Sequence, residues 1–322
     1  ARLWGRSIGL LAALWATLSP FYLWYAQEAR MYTMLTALTV ISFYAFWRAF
    51  TEQRRLWASL FGVAFIAALF TQYLYALLIP GLILLGFFLW PRRASHGMAH
   101  PAPSPHRSRR WLWLTILPLL LLPPLGYGVA RLLPSLNSSR TYVPLGIILR
   151  DALNSFSLGL SVDLAEVWYW DALLAAIFVL GVLSLWRQPP CLGGDGRATL
   201  WQARGAGFTL IVGLILLPII FIWIFSFFTP LYMGSRYVIM CSPSFYLGLA
   251  LGVRSLARKK PWPAWIAALL IIVAMGYSTQ RYFTHPAYRA KADYRSAARH
   301  ITLNERPGDV VIVDAPENLP AF

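Results

Sequence analysis

The sequence predicts an all-α polytopic membrane protein of about nine transmembrane helices, followed by the start of an α/β outer domain. Three observations predict it. Of 322 residues, 58% are hydrophobic and 12% charged, where soluble domains carry about 25% charged residues. The apolar residues gather in runs at 3–18, 31–47, 56–70, 74–90, 111–133, 172–186, 208–228, 237–253 and 262–277, with Arg6 and Arg131 the two charges inside them. The basic residues fall between runs and in alternate loops, which is the pattern that bilayer topology imposes on Lys and Arg.

Each span follows from length and flanks. A helix needs roughly 17–25 apolar residues to cross a bilayer, so the shorter runs extend into the interface through polar-ended neighbours. Arg2 and Arg6, then Arg48, Arg54 and Arg55, then Arg92, Arg93, Arg107, Arg109 and Arg110 mark cytoplasmic segments. Arg187, Arg197 and Arg204, and finally Arg254, Arg258, Lys259 and Lys260, mark two more. Residues 56–90 have basic flanks on both sides, so they cross an even number of times, as a tight hairpin turning near Thr71-Gln72-Tyr73. The first residue is then inside and the C-terminus outside. The net charge of +16 is thereby absorbed by topology and argues against a nucleic-acid partner.

Between the spans, residues 91–110 form a cytoplasmic linker broken by proline. His96, His100 and His106 lie there, but Pro101, Pro103 and Pro105 spoil any shared helical face for a metal. Residues 188–196 make a second short cytoplasmic loop. The longest outer loop, 134–170, contains Leu145–Ser157, whose apolar spacing reads as a helix lying on the bilayer plane. Asp163 and Glu166 stand at the spacing of an N-cap and N3 pair, and Trp168, Tyr169 and Trp170 form an interfacial belt. Asn137-Ser138-Ser139 matches a glycosylation sequon. Cys191 and Cys241 fall on opposite sides of the membrane and cannot meet the roughly 7 Å Cα separation of a disulfide.

Two domains are expected: a transmembrane helical domain over 1–280 and an outer C-terminal domain beginning at 281–322, with a helix at 291–303, a turn at 304–309 and a strand at 310–313. The chain reads as a fragment, with no initiator Met and no signal peptide.

The informative stretch is 19–32, SPFYLWYAQEARMY. Ser19-Pro20 starts a helix, Ser as N-cap and Pro at N1. That helix would set Phe21, Tyr22, Trp24 and Tyr25 in the interface and descend as 31–47. Gln27, Glu28 and Arg30 then point around the outer mouth of the bundle. Tyr73 at the hairpin tip, and Arg236 and Tyr237 at the top of a later helix, emerge at the same level. Arg30 and Arg236 are placed to clamp a phosphate, and Glu28 to orient an Arg or bind a sugar hydroxyl.

With 19–32 followed by a long apolar helix, the chain resembles the membrane glycosyltransferases of the GT-C superfamily, closest to the dolichyl-phosphate-mannose protein mannosyltransferase-like enzymes of bacteria. SRYVIMCSPSFYLGLALG (235–252) is similar to their late "RY…P" helix, and YRSAARHI…RPGDVVIV (294–313) to the stretch opening their outer domain. The resemblance implies transfer of a sugar from a polyprenyl-phosphate carrier to an acceptor on the outer face of the cell membrane. It places Glu28 in the second outer loop lining the site and Arg236 near the carrier phosphate, with Arg30, Gln27, Tyr73 and Tyr237 around them. It puts the acidic catalytic residue in a first outer loop that precedes this chain, so no catalytic base is assigned. No cofactor is certain, and a divalent metal stays open. The competing reading is a multi-pass transporter or lipid flippase, but those place ionisable groups near the midplane, and here the polar groups collect at one surface.

Overall fold

The computed structural model describes residues 4–28, 30–52, 54–89, 142–187, 189–190, 200–228, 231–258, 260–289, 294–306 and 310. The expected span at 111–133, the linker at 91–110, the sequon at Asn137 and Cys191 lie outside them. The described residues are helical throughout and include no strand. Five helices are long and apolar enough to cross a membrane: Tyr32–Glu52, Leu164–Ser184, Leu200–Phe225, Ser235–Leu256 and Trp262–Thr284. A sixth is added if the bent pair Arg6–Leu18 and Pro20–Ala26 counts as one span. The protein is therefore a multi-pass membrane protein.

The first helices are α1 (Arg6–Leu18) and α2 (Pro20–Ala26), bent by 55° at Ser19. Ser19 is extended, and its Oγ accepts the N–H of Tyr22 at 3.3 Å, so the N-cap read from the sequence forms. The expected continuous descent into 31–47 does not. α2 stops at Ala26, the Gln27 and Glu28 N–H groups turn back to Trp24 O and Tyr25 O at 3.3 Å each, and α3 restarts at Tyr32 and runs to Glu52. The break lets two buried rings, Tyr25 and Tyr32, meet edge-on with centroids 4.7 Å apart. Phe21 and Tyr25 are buried within the bundle: Phe21 is 0% exposed and packs against Tyr25 and Phe156.

α4 (Arg55–Thr71) lies along α3. The helix breaks at Gln72, where a turn was expected, but the two arms do not make a tight hairpin. A 3-10 turn, Tyr73–Leu78, leads into α5 (Ile79–Leu89), which packs chiefly on later helices instead of α4. At the other end of α3, the buried Arg48 stays inside the helix. Its guanidinium pairs with Glu52, donates to Tyr44 Oη at 2.5 Å and lies 4.4 Å from the Trp57 ring centroid, while Trp57 Nε1 donates to Glu52 Oε2 at 2.9 Å. This cluster fastens the α3–α4 turn.

α6 (Leu145–Ser157) forms with the expected bounds. It does not simply float on a bilayer surface, because Ile148, Ala152, Phe156 and the polar Asn154, Ser155 and Ser157 are all buried. Its exit turn contains Gly159 at φ +79, and a Cβ there would come within 2.9 Å of Phe21 N. α7 (Leu164–Ser184) is capped by Asp163, whose Oδ1 accepts Ala165 N–H at 2.9 Å, with Glu166 in the first turn. Asp163→Ala should cost about 1 kcal/mol and lower the thermal midpoint by a few degrees; an unchanged midpoint would remove the cap from the stability of α7. Trp168 and Tyr169 are exposed, as an interfacial belt requires.

The chain then runs through α8 (Leu200–Phe208), a π-turn (Thr209–Gly213), α9 (Leu214–Phe225), a 3-10 segment (Ser235–Cys241), α10 (Ser242–Leu256) and α11 (Trp262–Thr284). α10 is the centre of the bundle, packing on α1, α3, α7 and α9. Its contact with α7 is close at three glycines: Gly181 and Gly252 meet the backbone of the facing helix, and Gly248 leaves room for the Phe178 ring. Small residues four apart do this in membrane helices, where close packing replaces the hydrophobic effect.

The chain divides into two compact units, 1–278 and 279–322. In the second, α12 (Pro286–Arg289) and α13 (Tyr294–Asn304) follow the end of α11. The expected helix at 291–303 corresponds to α13. Of the expected strand at 310–313 only Val310 is described, exposed and in no regular structure.

Candidate functional site

The break between α2 and α3 is held in place by two ordered hydroxyl chains. Ser242 Oγ donates to Ile239 O at 2.6 Å, so the Tyr22 hydroxyl, 2.6 Å away, donates to it. Tyr246 donates to Phe156 O at 3.1 Å, so Ser19 Oγ donates to Tyr246 Oη at 2.6 Å while accepting from Tyr22 N–H. Ser278 Oγ donates to Leu158 O, tying α11 to the exit turn of α6. Buried groups that are all paired in one direction specify one arrangement, since any other leaves an orphan costing about 1–3 kcal/mol. α2 is thus clamped between α6 and α10.

Onto this frame the chain delivers a mixed polar cluster. The Tyr25 hydroxyl lies within electrostatic range of Glu28, Arg236, Tyr32 and Asp151. Glu28 is half-buried and its Oε1 accepts Trp24 Nε1–H at 3.2 Å. Asp151, on α6, accepts the Tyr232 hydroxyl on Oδ2 and faces Ser155 Oγ from Oδ1 at 3.4 Å. Ser155 also donates to Ser235 Oγ at 2.7 Å, which joins α6 to the 3-10 segment. Burial first, and then the Asp151 carboxylate, hold the Tyr232 phenol well above its ordinary pKa, so it remains a donor.

Arg236 brings a cation to this group. Its guanidinium carbon sits 5.5 Å from the Tyr237 ring centroid, and its Nε is buried without a hydrogen-bond partner. It makes no hydrogen bond or ion pair with any described residue. A buried N–H of a guanidinium beside two carboxylates and two phenols, left unused, is a place for an oxyanion.

The sequence-expected residues sort as follows. Glu28 and Arg236 share the neighbourhood of Tyr25. Tyr237 follows Arg236, with its hydroxyl toward Met233 Sδ at 3.6 Å. Gln27 caps the end of α2 and Arg30 sits in the turn before α3, both exposed. Tyr73 opens a 3-10 turn that packs on α4, α5 and α9. Sequence reasoning missed Tyr25, Tyr232 and the second carboxylate, Asp151. The Asp151–Ser155 spacing on one face of α6 was the only local signal, and Tyr232 had none. Among the described residues no three of His, Cys, Asp and Glu gather as a metal site. No family model, curated protein or solved structure matches this chain.

Proposed function

We propose that this chain belongs to a membrane glycosyltransferase that moves a sugar from a polyprenyl-phosphate carrier to an acceptor on the extracytoplasmic face. In this reading the chain makes nine crossings, with the Arg-rich loops in the cytoplasm and the α2–α3 break, α6 and the start of the 3-10 segment at the outer surface. The observation that carries it is the buried, unpartnered Nε of Arg236 within one cluster with Glu28 and Asp151.

The chemistry is a displacement at the anomeric carbon. The acceptor oxygen forms the new bond, the bond from the anomeric carbon to the carrier phosphate breaks, and the phosphate leaves with the electron pair. Arg236 stabilises the charge gathering on that phosphate. Glu28 and Asp151 are of the right type to accept hydrogen bonds from sugar hydroxyls, and Tyr25 and Tyr232 to fix their orientation. The acceptor proton must pass to a carboxylate, and that base is not assigned to any residue of this chain.

The test uses the full-length protein in proteoliposomes with a polyprenyl-phosphate-linked sugar. Sugar transfer is expected, and Glu28→Gln should lower kcat/KM about 10- to 100-fold, the worth of one hydrogen bond to a charged group. Donor-independent uptake of a solute with no transfer would favour a transporter instead.

A further inference from the structure

The chain enters the 3-10 segment that carries Arg236 through Gly234, at φ 107 and ψ 167. That backbone region is open to glycine and strained for any other residue. A Cβ at Gly234 would meet nothing within 4 Å, so the glycine serves the path of the chain and not a close contact. Bonds on either side of it set that path. Leu231 N–H donates to Ser226 Oγ at 3.3 Å, which ties the approach to the end of α9. The Tyr232 hydroxyl donates to Asp151 Oδ2, and Ser155 Oγ donates to Ser235 Oγ at 2.7 Å. Asp151 and Ser155 stand four apart, one above the other on α6, with Ser155 Oγ 3.4 Å from Asp151 Oδ1. Gly234 is thus bracketed by two bonds to a single turn of α6. Tyr232, Ser155 and Ser235 are all buried, so water does not compete for these bonds.

Arg236 follows Ser235 directly. Its Nε has no hydrogen-bond partner, and its guanidinium carbon lies 5.5 Å from the ring of the adjacent Tyr237. Hydrogen bonds of its own side chain therefore do not fix where it stands, and the backbone from Tyr232 to Ser235 does. Placement matters for a group that meets a developing charge, since an error of about 1 Å can cost roughly 100-fold in rate. We propose that Ser155, together with the Asp151–Tyr232 pair, positions Arg236 against the departing phosphate by holding residues 232–235 on α6. This rests on the transferase reading of the same site and adds to it the positioning residues. Ser155 acts through the segment and touches no substrate.

The experiment measures sugar transfer from a polyprenyl-phosphate donor by the full-length protein in proteoliposomes, per folded molecule. Ser155→Ala should lower kcat about tenfold, the worth of one buried hydrogen bond, and leave the donor KM within about twofold. Tyr232→Phe, which deletes one oxygen from the other tie, should lower kcat in the same direction. The deciding measurement is a double-mutant cycle. Ser155→Ala should cost nothing further in an Arg236→Ala background, because it has no guanidinium left to misplace. A loss that multiplies with that of Arg236→Ala would overturn the proposal, since Ser155 would then act elsewhere in the fold. Transfer that depends on Arg236 but keeps its full kcat in Ser155→Ala and Tyr232→Phe would overturn the proposal alone. No transfer by the parent protein would overturn the transferase reading, and the proposal with it.

Discussion

Gly252→Ala should prevent the bundle from assembling, while Gly276→Ala should leave it intact. A Cβ at Gly252 would lie 2.0 Å from Ile177 O and 2.8 Å from Ile177 C. Both are backbone atoms of α7 and cannot rotate away. The reciprocal contact is equally close, since a Cβ at Gly181 would stand 2.0 Å from Gly248 O. Relief requires α7 and α10 to separate by more than an ångström (roughly the gap to an ordinary van der Waals contact), which opens the packing along their whole crossing. Overpacking costs about 1–3 kcal/mol where side chains give way, and here none can, so the loss should reach or exceed that range. Gly276 on α11 has nothing within 4 Å of its Cβ position, and alanine there gains about 1 kcal/mol of helix propensity. Size-exclusion profile and thermal midpoint in detergent decide between them. A Gly252→Ala protein that elutes and melts like the parent would refute the close crossing.

The second large effect is expected at Arg236. Arg236→Ala should reduce sugar transfer from a polyprenyl-phosphate donor about 10²- to 10³-fold in kcat, the typical loss of one donor to a developing oxyanion. Arg236→Lys should recover part of it, since the charge returns without the planar fork. Stability should barely change, within about 0.5 kcal/mol, because no described residue depends on Arg236 for a hydrogen bond and its removal orphans nothing. A structural role would show the reverse pattern, a lowered midpoint with turnover per folded molecule retained. Measuring turnover and midpoint on the same preparations separates the two, and unchanged turnover in Arg236→Ala would take this residue out of the site.

Glu28 and Arg236 were legible in the sequence as unusual polar groups at span ends, but the company they keep was not. Tyr232 reaches Asp151 across 81 residues, and Ser19 reaches Tyr246 across 227. Nothing within a helical turn of Tyr232 distinguishes it from an anchoring aromatic. Tyr73 was legible as a break, but its flanking elements, α4, α5 and α9, were not, because the sequence places a turn without saying which helices will pack on it.

The sequence by itself determined what depends on neighbours within about four residues or on composition summed over a span. Those are the membrane class, the start of α2 at Ser19-Pro20, the bounds of α6 and the Asp163 cap of α7. Only the tertiary structure decided the break before Tyr32, the burial of Phe21 and Tyr25, the separate partners of α4 and α5, and the gathering of Asp151, Tyr232 and Arg236 around Tyr25. Those depend on which surfaces pack together in an environment where every apolar helix face is equally acceptable to lipid. Selection among faces then falls to glycine contacts and paired hydroxyls hundreds of residues apart, which no local pattern encodes.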